Sequence, residues 1–106
     1  MHKTALVLIL TALLATPAVA AVDRDTAVKT LAGLYNSADI CNLSVSRAKV
    51  DAYREANAPA GDTMFNVDVF TATHDLYSQQ KTWSKEQTDA YCKTAAETVR
   101  TLGMAL

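Results

Sequence analysis

The chain has 106 residues, with ten Lys+Arg against eleven Asp+Glu and two histidines, for a formal net charge of −1. The two signs are interleaved with no basic block, which disfavours binding to nucleic acid or to an anionic membrane surface. The length allows one small domain and no second core.

The first twenty residues, MHKTALVLILTALLATPAVA, open with a short polar region holding Lys3 and continue as an uncharged apolar run from Ala5 to Ala15. As a helix that run reaches about 16 Å, against about 30 Å for a hydrocarbon core, so it is too short to span a bilayer. Pro17 breaks it, and Ala18-Val19-Ala20 supplies the small-x-small pattern of a signal-peptidase site. The expectation is a cleaved secretory signal over 1–20, the overlapping Val-Ala-Ala also allowing a cut after Ala21. No cysteine stands near the cut, which excludes a lipoprotein anchor. Residues 21–106 are then a single helical domain, periplasmic or secreted, with no stable membrane insertion after processing. Of those 86 residues 39 are apolar, but fourteen of these are alanine. At about 25 cal/mol per Å² such a core only just exceeds chain entropy, so a covalent staple matters.

From Asp25 onward, Val28, Leu31, Tyr35 and Ala38 recur at three and four, with Leu34 and Cys41 close to the same stripe. This predicts a helix ending near Asn42, capped by Asp23 or Asp25, with Gly33 marking the close approach of a neighbour. Asn42-Leu43-Ser44 matches the N-glycosylation sequon, but the leader has a bacterial form and the match is read as chance. A second, short helix starts at Ser46 with Val45 able to pack on Val50, carries Val50 and Tyr53 inward, and stops at Ala58-Pro59-Ala60-Gly61. Its other side, with Arg47, Lys49, Asp51, Arg54 and Glu55, reads as a solvated face.

The segment "MFNVDVFT" alternates as a strand would, yet Phe65, Val69, Ala72 or Thr73, and Leu76 continue at helical spacing, with Asp62 or Thr63 as a cap. A lone strand would have no partner, so a third helix is predicted. The fourth is the plainest. Ser84-Lys85-Glu86-Gln87 has the form of a capping box, Thr88, Cys92, Ala95, Val99 and Leu102 form the stripe, and Gly103 stands where a left-handed terminal residue belongs. Trp83 is expected over the junction of the third and fourth helices. The fold class is therefore all-α, a small three- to four-helix bundle.

Cys41 and Cys92 are 51 residues apart, far from C-x-x-C spacing, and in an exported protein two cysteines default to one intramolecular disulfide. Asp39 and Asp89, standing shortly before them, would raise a thiol pKa, which argues against a nucleophile. They read as surface carboxylates. His74 has neither a recognisable nucleophile nor an orienting partner at any telling spacing, and one histidine cannot make a zinc site. No EF-hand loop is present. The expectation is no enzyme, no cofactor and no metal.

Among the aromatic residues, Tyr35 and Tyr53 fall on core faces, whereas Phe70 and Tyr77 point partly away from the main stripe and, with Trp83, form the candidate interaction patch. The leading expectation is a non-enzymatic exported protein acting on an unknown protein partner, as an inhibitor, accessory subunit or adaptor. In size, export and a single long-range disulfide the chain also resembles, in format, the acid-activated HdeA-type periplasmic chaperones. That resemblance implies a chain loosened by protonation of its carboxylates, with the disulfide limiting its unfolding. A small-molecule binding module using the bundle interior is the third alternative.

Overall fold

In the computed structural model residues 22–106 are described, and the expected signal over 1–20 lies outside them. Four helices follow in order: α1 (Arg24–Cys41), α2 (Arg47–Asn57), α3 (Phe65–Gln79) and α4 (Lys85–Thr101), with a short 3-10 turn at Gln80–Thr82. Among the described residues there is no strand, only an isolated bridge between Val45 and Ala105. The ambiguous third segment is thus a helix, as its longer-range spacing predicts.

Each helix start has a local chemical cause. Asp23 accepts the Thr26 N–H at 2.8 Å and caps α1, and Ser46 accepts the Lys49 N–H at 3.2 Å to cap α2. Ser84 and Gln87 form a reciprocal capping box at the start of α4. The start of α3 departs from expectation. Its cap residue is Met64, with no side-chain capping bond, while Asp62 accepts the Met64 N–H at 3.1 Å from just outside the helix. Asp62 is drawn there because its carboxylate is also held by Arg24 from α1.

α1 is the hub of the bundle, packing on α2, α3 and α4. A helix covered on several sides cannot bury a single stripe. Ala27, Leu31 and Leu34 are buried as a 3-4 pattern requires, but so are Ala32, Asn36 and Ser37 from other sides, while Ala38, expected inside, is exposed. The two polar residues are satisfied in place: Asn36 Nδ2 donates to the Thr73 carbonyl and Ser37 Oγ to that of Leu34, both at 2.8 Å. Around them the core gathers Val50, Phe65, Val69, Val99 and Met104. Gly33 is not there for close approach. A Cβ at that position would meet Tyr91 Oη at 3.6 Å, an ordinary contact, and Tyr91 donates to the Gly33 carbonyl at 3.2 Å.

The end of α4 corrects another expected core residue. Gly103, at φ 68°, turns the chain in a Schellman arrangement: its own N–H bonds to the Arg100 carbonyl, and the Met104 N–H to that of Val99. Met104 thereby folds into the core at 5% exposure, and Leu102 is left 38% exposed. The Met104 carbonyl also accepts the Ser46 N–H at 2.7 Å, which ties the segment after α4 to the α1–α2 connection. Cys41 and Cys92 form the expected disulfide, joining the last residue of α1 to the middle of α4.

Candidate interaction surface

The core stripe of α3 is Phe65 and Val69, with Ala72 and Leu76 half-buried behind them. Apolar residues beyond that stripe have nothing in the bundle to cover them. Along this helix Phe70 is 73% exposed, Val67 48% and Tyr77 41%, and Met64, just before it, is 52% exposed. His74 lies between the two aromatic residues, one turn after Phe70, and stacks on its ring with centroids 6.5 Å apart. Lys81 covers the Tyr77 ring at 5.3 Å. Trp83, the third member of the expected patch, is half-buried after the 3-10 turn and tilts against Tyr91 with centroids 5.1 Å apart. Spacing singled out Phe70 and Tyr77. Val67 was hidden because it also fits the strand-like alternation of "MFNVDVFT".

Beside this ridge lies a groove of about 400 Å³ between α1, α2 and α3. Phe70 forms part of its rim, Val69 and Thr73 part of its α3 wall, and Arg47 and Arg54 its α2 wall. The two arginines are held in place from α1. Tyr35 donates its hydroxyl to Asp51 Oδ1 at 2.6 Å and accepts from Arg54 Nη1 at 2.6 Å. The guanidinium of Arg47 lies over the Tyr35 ring at 4.8 Å. Both arginines also reach Asp51, Arg47 at 3.4 Å and Arg54 at 3.3 Å. The Tyr35 hydrogen bond, followed by the two cations, holds the Asp51 carboxyl below the usual carboxylate range. Burial, and then the bond to that carboxylate, push the Tyr35 hydroxyl up. The face of α2 that reads as merely solvated is therefore linked to α1 through Tyr35, a connection visible only once Tyr35 is placed against it.

The remaining candidates are simpler. Asp89 pairs with Lys85 at 2.7 Å on a solvated face. Asp39 lines the groove from α1 and takes part in none of the ion pairs among the described residues. Among those residues, no three His, Cys, Asp or Glu side chains cluster as a metal site would require. No described helix is long and apolar enough to cross a membrane.

At the opposite end of α1, Arg24 donates from Nε to Asp62 at 2.6 Å and from Nη2 to Asp68 at 2.7 Å, with its guanidinium 5.8 Å from the Phe65 ring. The Arg24 hydrogen bond is the chief reason the Asp62 carboxyl lies below its ordinary range. Comparison with known proteins adds no relative to this description: no protein-family model, no curated protein and no solved structure matches the chain.

Proposed function

We propose that the domain is an exported, non-enzymatic protein that acts through contact with another protein, as an inhibitor, accessory subunit or adaptor. One observation carries this reading: Phe70 is 73% exposed on a helix that is otherwise anchored in the core, and it is accompanied by Met64, Val67 and Tyr77. Exposed apolar side chains of this size cost solubility when uncovered, and large aromatic anchors are the residues that dominate protein contacts. Export is supported by the leader pattern of residues 1–20 and by a disulfide suited to an oxidising compartment.

A photo-crosslinking phenylalanine analogue at position 70, with the same analogue at the exposed Glu97 of α4 as control, tests this in the native cell envelope. The expected result is one discrete adduct from position 70 and none from 97. The isolated partner should then lose about thirtyfold in affinity to Phe70→Ala, the scale of a hot-spot residue. No adduct, or the same adducts from both positions, would overturn the proposal.

A second reading, an acid-stress chaperone, is favoured by the way carboxylates tie the helices together. Asp62 and Asp68 join α3 and its approach to Arg24 of α1, and Asp51 joins α2 to Tyr35 of α1. For Asp62 and Asp51 the folded-state pKa is depressed. Their contribution is therefore complete above the unfolded carboxylate value of about 3.9 and is lost as pH falls through the lower folded values. Thermal midpoints measured from pH 6 down to pH 2 should fall below about pH 4, and Arg24→Gln should flatten that fall by removing the cause of the Asp62 shift. Suppression of client aggregation at pH 2–3 is the outcome this second reading requires, and its absence removes it.

A further inference from the structure

We infer that α3 pairs with α3 of a second copy of this chain, in an antiparallel seam made by Val67, Phe70, His74 and Tyr77. The inference goes beyond the partner reading above and does not depend on it. The inward stripe of α3 is Phe65, Val69, Ala72 and Leu76. At 3.6 residues per turn, the seam positions lie about 150° round the helix from that stripe. All of them are exposed. One stripe suffices to hold a surface helix to its core; α3 carries a second, with the three-four spacing of a coiled-coil seam.

That spacing, three, four, three, reads the same from either end of the helix. An antiparallel copy therefore falls into register. Each Val67 then lies against Tyr77 of the other copy and each Phe70 against His74, as a closed two-fold contact requires. Rings of the second pair already stack within the chain, with centroids 6.5 Å apart. A parallel copy would set His74 on His74 and forfeit both mixed pairs, and only the antiparallel one opposes the two helix dipoles. The positions flanking the seam are uncharged: Asn66 and Thr73 on one side, Thr71 and Ser78 on the other. Like-charge repulsion, the usual obstacle when identical surfaces meet, is thus absent beside the seam. Of the acidic residues of α3, Asp68 is held by Arg24 and Asp75 lies further round the helix, while Asp39 of α1 borders the hollow next to Phe70, His74 and Tyr77. A helix of 15 residues makes a small interface, below about 1,200 Å² in total, so a dissociation constant of about 10–100 µM is expected.

The test is sedimentation equilibrium of the processed, oxidised chain from about 1 µM to about 1 mM, a range that brackets that constant. The mass should rise from monomer to dimer. Phe70→Glu and Val67→Glu should each weaken the dimer at least thirtyfold, the scale of a hot-spot residue, while Leu106→Glu, at an 86% exposed position outside the seam, should leave it unchanged. Circular dichroism of each variant separates lost association from lost folding, and the two seam variants keep the test open if one does not fold. Orientation is read from Val67→Glu and Tyr77→Lys chains, each weak alone, whose equimolar mixture should recover association because the new charges face each other only in the antiparallel seam. A chain that stays monomeric throughout would overturn the inference, as would a dimer indifferent to Phe70→Glu, one weakened equally by Leu106→Glu, or a mixture no better than its components. A monomeric chain that crosslinks from position 70 to a different protein would sink this inference and leave the partner reading standing. A dimer whose position 70 yields only an adduct of twice the chain's mass would do the reverse.

Discussion

Removing the Cys41–Cys92 bond, by reduction or by the double substitution Cys41→Ala/Cys92→Ala, is expected to cost about 4 kcal/mol, because the loop it closes is 51 residues long. Small domains hold only about 5–15 kcal/mol in total, so this is a large share of the folded state's margin. The position of the bond makes the loss hard to absorb. α4 contributes only Ala95 and Val99 to the buried set from within the helix, with Met104 added after it. Two small side chains hold a helix of 17 residues weakly, and the disulfide is what anchors its middle to the end of α1. Urea denaturation with and without reductant measures the effect, and a drop of roughly 15–30 °C in thermal midpoint is the matching expectation for a domain of this size. Hydrogen exchange in the reduced protein should show α4 opening first, before the α1–α3 contact. A loss below about 1 kcal/mol would mean that packing alone holds α4 and that the bond is incidental.

What could be read from the amino-acid sequence divides along a physical line. Interactions confined to a few residues were legible: Ser46 and Ser84 cap the helices that follow them, and Gly103 takes the positive φ that ends α4. The disulfide was legible because an expected export signal and an isolated pair of cysteines leave few alternatives. Properties set by what a helix meets in space were not. Asn36 and Ser37 are buried because α1 is packed on several sides, a fact its own periodicity cannot contain. Met104 replaces Leu102 in the core because a turn, and not a further turn of helix, follows Thr101. Arg47, Asp51 and Arg54 looked like an ordinary charged face, since the tyrosine that orders them comes from another helix. The ridge was half legible: Phe70 and Tyr77 fall off the core stripe of α3, but which side of that helix stays uncovered depends on where α1 lies.

Two phenylalanines on that one helix should respond in opposite ways to the same substitution. Phe65 is 1% exposed, the largest of the fully buried side chains, and carries the Arg24 guanidinium near its ring. Phe65→Ala removes its buried area, leaves a cavity in an alanine-rich core with few large neighbours to fill it, and loosens the tie between α1 and the start of α3. The expected cost is about 3–5 kcal/mol, enough to bring a small domain close to its unfolding threshold. Phe70 has most of its ring in water, so Phe70→Ala gives up little burial and only the stacking on His74. Its expected effect on stability is within about 0.5 kcal/mol, while binding of a crosslinked partner falls by more than tenfold. Urea midpoints and partner affinity measured on the two variants side by side separate the roles. Phe65→Ala should fail in the first measurement, whereas Phe70→Ala should pass it and fail in the second. Comparable destabilisation by both would place Phe70 among the structural residues. The exposed ridge would then lose its claim as a contact surface, because a side chain kept for folding needs no partner to account for it.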